Sequence, residues 1–448
     1  MHIHTQNLII GFGKAGKTLA ADLAKHGQSV VLAEQSAQMY GGTCINIGCI
    51  PSKKLIAEGG QRSHERDKAA VFQAAMAAKN TLTAKLREAN FAKLDNLDKV
   101  SVINARAEFQ DDHTVKLTAA DGSSQTVRAE RIFINTGARP RRLGVPGEDS
   151  PRVLDSTGIL SLAGRPNRLV IVGGGYIGLE FAFMYRAFGS EITILDSGGT
   201  FLPREDRDIA EEMLRVLNSR GISVVQGVGI EGFRDGENGT AVITTQGEFT
   251  ADAVLVAVGR TPDTQGLGLE NAGIATDPRG FIVTDDYLRV PGKDHIWAMG
   301  DVAGSPMFTY ISLDDYRIVR EQILGSGKRS RADRAPFPTA VFTEPPLSHI
   351  GMTETAAKEA GRNVKVFKIK ADAIPKAKVL NQTDGLLKAV TDAQSGEILG
   401  VTLFCAESHE LINLIKTAMA LKADAACLKN QIFTHPTMAE GLNDLFAD

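Results

Sequence analysis

Residues 7–16 read Asn7-Leu-Ile-Ile-Gly11-Phe-Gly13-Lys-Ala-Gly16, an apolar run that enters a glycine-rich turn. A helical pattern continues to His26, and a second apolar run covers Val30 to Ala33. This order predicts a strand, a helix and a parallel strand, with the glycines in the first turn. Glycine lets the backbone approach a pyrophosphate, whose charge the following helix N-terminus stabilises. The stretch therefore predicts a dinucleotide-binding unit.

The same arrangement occurs a second time along the chain. Leu169-Val-Ile-Val-Gly173-Gly-Gly175-Tyr-Ile-Gly178 opens a copy in which glycines again stand at offsets 2, 5 and 16 from the first. Each copy also has a carboxylate at offset 23, Glu34 and Asp196, where an acid can accept hydrogen bonds from a ribose. Two ordinary glycine-rich turns are the alternative interpretation, but the shared spacing favours two dinucleotide sites.

The composition is that of an ordinary α/β protein. The chain has 448 residues, 43% of them hydrophobic, and a formal net charge of -3. This balance leaves no basic excess for nucleic acid or for an anionic membrane surface. No apolar run approaches the ~20 residues of a membrane span, and Met1-His2-Ile3-His4 does not resemble a signal peptide, so we expect a cytoplasmic protein. The two terminal histidines offer imidazoles to a metal, but a frayed end is the favoured interpretation.

Two of the cysteines lie close together in Gly41-Gly-Thr-Cys44-Ile-Asn-Ile-Gly-Cys49-Ile-Pro51-Ser-Lys53. In an ideal helix, residues five apart have Cα atoms roughly 8.6 Å apart, beyond the ~6.8 Å limit of a disulfide. A bond between them needs a distorted turn, which Gly48 permits, and a strained disulfide is of the labile, catalytic kind. A metal site and two unrelated buried cysteines are the alternatives. We expect Cys405 and Cys427, which stand alone among apolar residues, to lie in the core.

At these residues the chain resembles the FAD-dependent pyridine nucleotide-disulfide oxidoreductases, the family of glutathione reductase, dihydrolipoyl dehydrogenase and mercuric reductase. The resemblance covers nearly the whole chain. It implies an α/β protein with two Rossmann-like dinucleotide-binding domains and a C-terminal α+β dimerisation domain. The FAD domain would comprise residues 1–150 and 264–335, the NAD(P) domain residues 151–263, and the dimerisation domain residues 336–448.

The resemblance also implies the cofactors, which are FAD and NADH, with NADPH as the alternative. The residues implied to bind FAD are Gly11, Gly13, Gly16, Glu34, Thr43, Lys53, Thr136, Gly137, Gly300 and Asp301. Those of the second fingerprint, implied to bind the nicotinamide cofactor, are Gly173, Gly175, Tyr176, Ile177, Gly178 and Asp196. Further cofactor-binding candidates are Gly42, Thr309, Gly259 and Arg260. Asp196 would repel a 2′-phosphate and so predicts NADH, although Arg204 and Arg207 can offset the repulsion.

In the family, hydride passes from the nicotinamide to the flavin, and the flavin reduces the disulfide. By this resemblance Cys49 would face the flavin as a charge-transfer thiolate, and Cys44 would be the interchange thiol that attacks substrate. Lys53 and Glu180 resemble the family's ion pair near the flavin. Tyr176 stands where the glutathione reductase-like members have a gating tyrosine.

Near the C-terminus, Phe433-Thr-His435-Pro436-Thr-Met-Ala-Glu440 resembles the family's His-Pro motif. An imidazole that is oriented by a carboxylate can act as the acid-base partner of a thiol. In the family this histidine comes from the other subunit, so the resemblance implies a homodimer.

Several features narrow the choice within the family. Ala21 stands where glutathione reductase holds glutathione with an arginine, and the run that ends at Asp448 has no cysteine pair. The runs Met39-Tyr-Gly-Gly-Thr-Cys-Ile-Asn-Ile-Gly-Cys-Ile-Pro51 and Phe308-Thr-Tyr-Ile-Ser-Leu-Asp-Asp-Tyr-Arg317 resemble the RclA-like branch, which is linked to reactive chlorine species and to reduction of hypothiocyanous acid or copper(II). The expected function is reduction of a small reactive oxidant in oxidative-stress defence.

Three other functions remain open, namely dihydrolipoyl dehydrogenase, a copper(II) or mercury(II) reductase, and a flavin-binding regulatory protein. Recognition of a small oxidant would depend on the Cys44 thiol itself. Lys14 and Lys17 offer modest steering of anionic oxidants, but solvated surface lysines are the favoured interpretation. No resident metal ion is expected.

Overall fold

The structure is a computed structural model that describes residues 2–447. In chain order the strands are β1 (His2–Ile10), β2 (Val30–Glu34), β3 (Val100–Asn104), β4 (Arg106–Phe109), β5 (Thr114–Thr118), β6 (Ser124–Ile134), β7 (Ala138–Pro140), β8 (Val153–Leu154), β9 (Arg168–Val172), β10 (Glu191–Asp196), β11 (Ile222–Gln226), β12 (Ile230–Gly236), β13 (Gly239–Thr244), β14 (Gly247–Ala251), β15 (Ala253–Val256), β16 (Arg260–Pro262), β17 (Ile296–Ala298), β18 (Thr339–Val341), β19 (Leu347–Gly351), β20 (Val364–Lys370), β21 (Leu386–Asp392) and β22 (Ile398–Phe404).

The helices connect these strands in two compact units. In chain order they are α1 (Lys14–Lys25), α2 (Thr43–Asn46), α3 (Cys49–Gln61), α4 (Lys68–Asp95), α5 (Tyr176–Ala187), α6 (Arg207–Ser219), α7 (Thr309–Leu324), α8 (Glu354–Glu359), α9 (Pro375–Val379), α10 (Ser408–Ala420), α11 (Ala425–Lys429) and α12 (Gly441–Leu445). The first unit comprises the residues up to Leu55, Ala74–Arg141 and Gly259–Arg334. The second unit comprises Ile56–Gln73, Arg142–Val258 and the residues from Ala335 onward.

The first unit is built on a mainly parallel sheet. Its strand order is β3-β2-β1-β6-β5-β4, and β17 pairs with β6 as well. Strands β1, β2, β3, β6 and β17 run parallel, and α1 crosses over between β1 and β2 as the apolar pattern predicts. Because parallel strands end at one edge, the turn after β1 meets the ends of β6 and β17 there.

Besides a three-stranded antiparallel sheet in the order β12-β13-β14, the described residues of the second unit form two five-stranded sheets of different kinds. The first has the order β11-β10-β9-β15-β8, is parallel throughout, and continues from β9 into α5 as β1 continues into α1. The second is antiparallel, in the order β18-β19-β22-β21-β20, and belongs to the C-terminal part of the chain. Helix α10 begins at Ser408 after the last strand of this sheet, and the short helices α8 and α9 lie between its earlier strands.

A buried lysine of the second unit, Lys388 on β21, lies among three carboxylates. Its Nζ is 2.7 Å from Glu354, 2.9 Å from Asp206 and 3.1 Å from Asp208. Burial alone would raise the pKa of Asp206, but hydrogen bonds from Lys388 and from the backbone of Thr355 and Glu354 lower it to about 2. The cluster is therefore charged at neutral pH and ties the start of α6 to α8 and β21.

Two expectations about the ends of the chain are wrong. The N-terminus is not frayed, because β1 begins at His2 and pairs in parallel with β6, where His2 lies opposite Thr126. Cys427 is exposed, because the short helix α11 turns Leu428 inward instead. Cys405 is buried, as predicted. The helices of residues 2–447 are all too short or too polar to cross a lipid bilayer.

Candidate active site

The turn after β1 is held by a side chain that sequence reasoning missed, Asn135. Gly11 has a φ of +103°, and Cβ atoms added to Gly11 and Gly13 would come within 2.4 and 2.5 Å of Asn135. Oδ1 of Asn135 accepts a hydrogen bond of 2.9 Å from the Gly16 N–H, and its Nδ2 donates one of 2.7 Å to the Met299 carbonyl. Asn135 therefore joins the ends of β1, β6 and β17. The sequence feature that could have identified Asn135 is its position directly after the apolar run of β6.

Glu34, at the end of β2, is buried beside the same turn. Its Oε2 accepts a hydrogen bond of 3.0 Å from the Phe12 N–H, and its Oε1 accepts one of 3.2 Å from the Ser36 N–H. Burial raises the pKa of Glu34, and these backbone donors oppose the rise. The acid predicted at offset 23 thus lies at the glycine turn, the place where an acid can bind ribose hydroxyls.

The third strand end of this edge is Gly300, directly after β17. Its N–H donates a hydrogen bond of 2.7 Å to Oδ2 of Asp315, a fully buried residue that sequence reasoning missed. Burial raises the pKa of the neighbouring Asp301, and the positive charge of Arg260 opposes the rise. Gly259 and Arg260 belong to the first unit, as Asp301 does. The second glycine fingerprint belongs to the second unit.

The cysteine segment packs directly on the first glycine turn. Gly42 has a φ of +81°, and a Cβ added there would lie 2.8 Å from Cα of Gly13. Helix α2 begins at the next residue, Thr43. Nδ2 of Asn46 donates a hydrogen bond of 2.9 Å to the Gly42 carbonyl, and its Oδ1 accepts one of 2.8 Å from Arg87. The two cysteines thus adjoin a turn of the dinucleotide-binding kind.

Cys44 lies on α2, and Cys49 is the first residue of α3. The chain leaves the helix between them, at Ile47 and Gly48, so the distorted turn that the spacing requires is present. Both cysteines are free thiols, and Sγ of Cys49 lies 3.6 Å from Oγ1 of Thr309. A hydrogen bond with Cys49 raises the pKa of Cys44 most, and burial raises it further. Cys44 therefore holds its thiol proton more firmly than an ordinary cysteine does.

Lys17 is not the solvated surface lysine that we expected. Its Nζ donates hydrogen bonds of 3.1 Å to the Gly41 carbonyl and 2.7 Å to Oδ1 of Asn90. Burial, and then the charge of Lys14, lower the pKa of Lys17 to about 8, while the charge of Cys44 opposes this change. The expectation was wrong because the Gly41 turn and α4 cover this side of α1, which leaves a half-buried amine near the cysteines.

The second glycine turn repeats the first one closely. Oδ2 of Asp196 accepts a hydrogen bond of 3.1 Å from the Gly174 N–H, and Oδ1 accepts one of 2.8 Å from the Gly198 N–H. Gly173 has a φ of +108°, and a Cβ added to Gly178 would come within 2.0 Å of the carbonyl oxygen of Gly173. Helix α5 starts directly after this turn, with Gly175 as its N-cap and Tyr176 and Ile177 as its first residues. The predicted acid again lies at the turn.

Tyr176 has a partner that sequence reasoning missed, Glu205, which accepts a hydrogen bond from the tyrosine hydroxyl. Burial raises the pKa of Tyr176, and the nearby carboxylate raises it further. No sequence pattern around Glu205 indicated a contact with Tyr176. The two residues are far apart along the chain, and the loop before α6 brings Glu205 to α5.

Lys53 belongs to the first unit and Glu180 to the second. Lys53 is on α3 four residues after Cys49, a spacing that puts both on one face of the helix. Glu180, on α5, is buried, and its Oε1 accepts a hydrogen bond of 3.0 Å from the Phe342 N–H.

His435 and Glu440 are brought together in the second unit. Nδ1 of His435 lies 2.7 Å from Oε2 of Glu440, whose Oε1 also accepts a 3.3 Å hydrogen bond from the Thr437 N–H. The His435 side chain keeps 69% of its surface exposed, against 18% for Glu440. The anchored carboxylate orients the ring and leaves Nε2 as the nitrogen for proton exchange.

Two family models match the chain. Residues 5–315 match the pyridine nucleotide-disulphide oxidoreductase model, and residues 337–446 match the dimerisation domain of the same family. Among curated proteins, the probable pyridine nucleotide-disulfide oxidoreductase RclA of Escherichia coli is 47% identical over 443 residues, which are 99% of this chain and 98% of the relative. A dihydrolipoyl dehydrogenase of Haloferax volcanii is 34% identical over 458 residues, 98% of this chain and 94% of the relative.

Solved structures agree with the sequence relatives. The copper(II) complex of the HOCl-induced flavoprotein disulfide reductase RclA from Escherichia coli has a TM-score of 0.95, with 47% identity over 99% of both chains. The predicted fold, of α/β class with two dinucleotide-binding parts and a dimerisation domain, is confirmed, and so is the enzyme class. The chain therefore belongs to the pyridine nucleotide-disulphide oxidoreductase family.

Proposed function

We propose that this protein is an FAD-dependent NADH oxidoreductase that reduces a small reactive oxidant, such as hypothiocyanous acid, through a Cys44–Cys49 disulfide. The observation that supports this proposal most is the contact of Gly42 with Gly13. Through it, two hydrogen-bonded thiols adjoin a turn of the kind that binds dinucleotides.

The residues at the first turn fit FAD. The buried Oγ1 of Thr136 has no hydrogen-bond partner among residues 2–447, and a polar ligand atom would satisfy it. When bound, FAD would supply two-electron transfer between a nicotinamide and a sulfur. The residues that would hold it are Gly11, Gly13, Gly16, Glu34, Gly42, Thr43, Lys53, Thr136, Gly137, Gly300, Asp301 and Thr309. The proposed domains keep the predicted bounds: residues 1–150 with 264–335 for FAD, 151–263 for the nicotinamide cofactor and 336–448 for dimerisation.

The second turn fits a nicotinamide dinucleotide that has no 2′-phosphate. The negative charge of Asp196 would repel such a phosphate. The guanidinium of Arg207 donates hydrogen bonds of 2.9 and 2.8 Å to the carbonyls of Phe201 and Glu205, so it is committed to the loop before α6. NADH is therefore the proposed electron donor.

The two cysteines take different roles in this proposal. Cys49 begins a helix of 13 residues, and the helix dipole there stabilises a thiolate. Cys44, whose pKa is raised by its hydrogen bond to Cys49, keeps its proton until a base removes it. We assign Cys49 as the sulfur that faces the flavin and Cys44 as the thiol that attacks the oxidant.

The base proposed for Cys44 is His435, held by Glu440 at 2.7 Å. The match of residues 337–446 to a dimerisation domain supports a homodimer, in which His435 of the partner subunit would serve Cys44. Lys53 and Glu180 are the proposed ion pair beside the flavin, and Tyr176 is the proposed gate over the nicotinamide site.

The proposed reaction balances with no other reactant. The Cys44 thiolate attacks the electrophilic sulfur of hypothiocyanous acid, and hydroxide leaves and takes the proton from His435 to form water. The Cys49 thiolate then attacks the Cys44 sulfur and expels thiocyanate, which leaves the disulfide. The two electrons and the one proton that NADH supplies as hydride would return the disulfide to the Cys44 thiol and the Cys49 thiolate, the state in which the cycle began. Neither step needs a pocket for a large group, which suits the half-buried Cys44.

The test compares NADH oxidation with hypothiocyanous acid, lipoamide, oxidised glutathione and copper(II), in the wild type and in Cys44→Ala. We expect hypothiocyanous acid to be turned over fastest, and its turnover to be lost in Cys44→Ala. Fast turnover of lipoamide would replace the proposal with dihydrolipoyl dehydrogenase. Copper(II) is the second candidate substrate, because the similar RclA structure is a copper(II) complex. A copper rate that exceeds the hypothiocyanous acid rate would favour it.

A further inference from the structure

Three side chains of the first unit converge away from the cysteines. Asp112 and His113 lie directly before β5, and His295 lies directly before β17. One potential ligand atom from each of them lies within 4.8 Å of the others, and all three are half-buried. His113 and His295 stand far apart in the sequence, and pairing of β5 and β17 with successive parts of the same side of β6, the side not taken by β1, brings them together.

Both imidazoles are oriented by backbone carbonyls. Nδ1 of His113 lies 3.0 Å from the Ala129 carbonyl, and Nε2 of His295 lies 2.9 Å from the Asp112 carbonyl. A carbonyl only accepts, so each of these nitrogens carries the proton. The other nitrogens, Nε2 of His113 and Nδ1 of His295, then carry lone pairs. This is the arrangement that orients most metal-binding histidines, whose second nitrogen donates to a carbonyl or a carboxylate.

The third group, the Asp112 carboxylate, has one oxygen, Oδ2, paired with Lys293, whose Nζ is 2.7 Å away. Two imidazoles and one carboxylate form a ligand set that Zn²⁺ accepts, with a water as the fourth ligand. Lys293 already pairs with the carboxylate and competes with a metal ion for it.

The two rings must move slightly to share an ion. Their centroids are 3.9 Å apart and their planes differ by 6°, so the lone pairs lie in parallel planes. A rotation of one half-buried ring would turn the two lone pairs toward a common point. His113 also lines a surface cavity of about 390 Å³ together with His4 and Glu130, which gives an ion a route to the ring.

We propose that Asp112, His113 and His295 form a site for a divalent transition-metal ion, with Zn²⁺ as the ion bound under ordinary conditions. The site is at the edge of the sheet opposite to the glycine turn. Ala129 precedes Asn135 by six positions, roughly 20 Å along an extended chain. An ion there ties the loop before β5 to the start of β17 and takes no part in the chemistry of the cysteines. The same ligands accept copper(II).

The test is a calorimetric titration of the FAD-loaded protein with Zn²⁺, in a background that combines Cys427→Ser with the double cysteine variant Cys44→Ser and Cys49→Ser, so that no accessible thiol binds the metal. We expect one Zn²⁺ per chain. His113→Asn and His295→Gln each keep a side-chain N–H for the carbonyl but remove the imidazole lone pair, and each should weaken binding roughly tenfold or more. Lys293→Met removes the competing cation and should tighten binding.

The matched control is His26→Asn, because His26 is exposed and its Nδ1 also lies near a carbonyl, that of Asp22 at 2.8 Å. This variant should bind Zn²⁺ as the background does. The proposal is overturned if neither histidine variant weakens binding, or if the double cysteine variant binds no zinc at all. Weaker binding by Lys293→Met would exclude Asp112 as a ligand. Flavin absorbance verifies that each variant is folded. If a histidine variant loses its flavin, Asp112→Asn is used in its place, because it also removes one of the three ligands. The readout is zinc binding, so its outcome is independent of the substrate proposed above.

Discussion

The hydroxyl of Tyr176 donates a hydrogen bond of 2.8 Å to Oε1 of Glu205, a residue that is only 8% exposed. If Tyr176 is a gate over the nicotinamide site, this bond has to break or stretch when the ring moves. Glu205 is then a positioning residue that sets how easily the gate opens.

Glu205→Ala should therefore speed the entry of NADH severalfold, because it removes a hydrogen bond to a charged acceptor. Tyr176→Phe removes the same bond and should behave alike, while Glu205→Gln keeps an acceptor and should stay near the wild type. The measurement is the NADH dependence of flavin reduction in stopped flow, together with KM and kcat. Slower NADH entry in Glu205→Ala would contradict the gate.

The spectra of cysteine variants test which sulfur faces the flavin. Cys49 begins α3, where the helix dipole favours a thiolate, and its hydrogen bond raises the pKa of Cys44, which is why we propose that Cys49 faces the flavin. Cys44→Ser should show a long-wavelength thiolate-flavin absorbance without any reductant. Cys49→Ser should show none, even after one equivalent of NADH. The reverse pattern would exchange the two assignments.

His435→Gln should slow turnover about 100-fold or more, because a positioned acid-base group typically contributes this much. Reduction of the flavin by NADH should be unchanged, since that half-reaction does not need the base. Glu440→Gln keeps the hydrogen-bonding shape but removes the charge, and should give a smaller loss. A defect of His435→Gln in flavin reduction would show that the histidine has another role.

The pH dependence of the attack on an oxidant should show the titration of the Lys17 amine. Its pKa of about 8 means that the amine is charged below that pH and neutral above it. The reduced enzyme should therefore lose its preference for an anionic disulfide over a neutral one as the pH rises through about 8. The ratio of the two rates cancels the titration of the attacking thiol. In Lys17→Met the ratio should be low and independent of pH, and a persistent inflection there would point to another group.

Lys388→Met should destabilise the second unit by about 3 kcal/mol, because three carboxylates lose their buried cation. The pKa of Asp206 is lowered from 3.8 to about 2, so its contribution to stability is present at neutral pH and is lost as the pH falls from about 4 towards 2. The difference in thermal midpoint between wild type and variant should therefore shrink in acid. Lys378→Met, at an exposed lysine of α9, is the control and should match the wild type.

The sequence predicted the parts of the site whose chemistry follows from local spacing. The glycines of both turns and the acids Glu34 and Asp196 lie together because each pair belongs to one strand-helix-strand unit. Asn135 and Glu205 were missed, since each acts on a turn or helix that is distant in sequence. The strand from His2 was also missed, because its polar residues pair with β6 at the sheet's end and show no apolar pattern.

The contact of Gly42 with Gly13 has a consequence for protein engineering. Two backbones touch there, so there is no side chain between the cysteine segment and the dinucleotide turn that could be enlarged or trimmed by degrees. The spacing between these two parts is effectively a fixed dimension. Attempts to give the enzyme a new oxidant are best directed at side chains around the thiols, such as the exposed Tyr310 near Cys49, because changes there leave that dimension untouched.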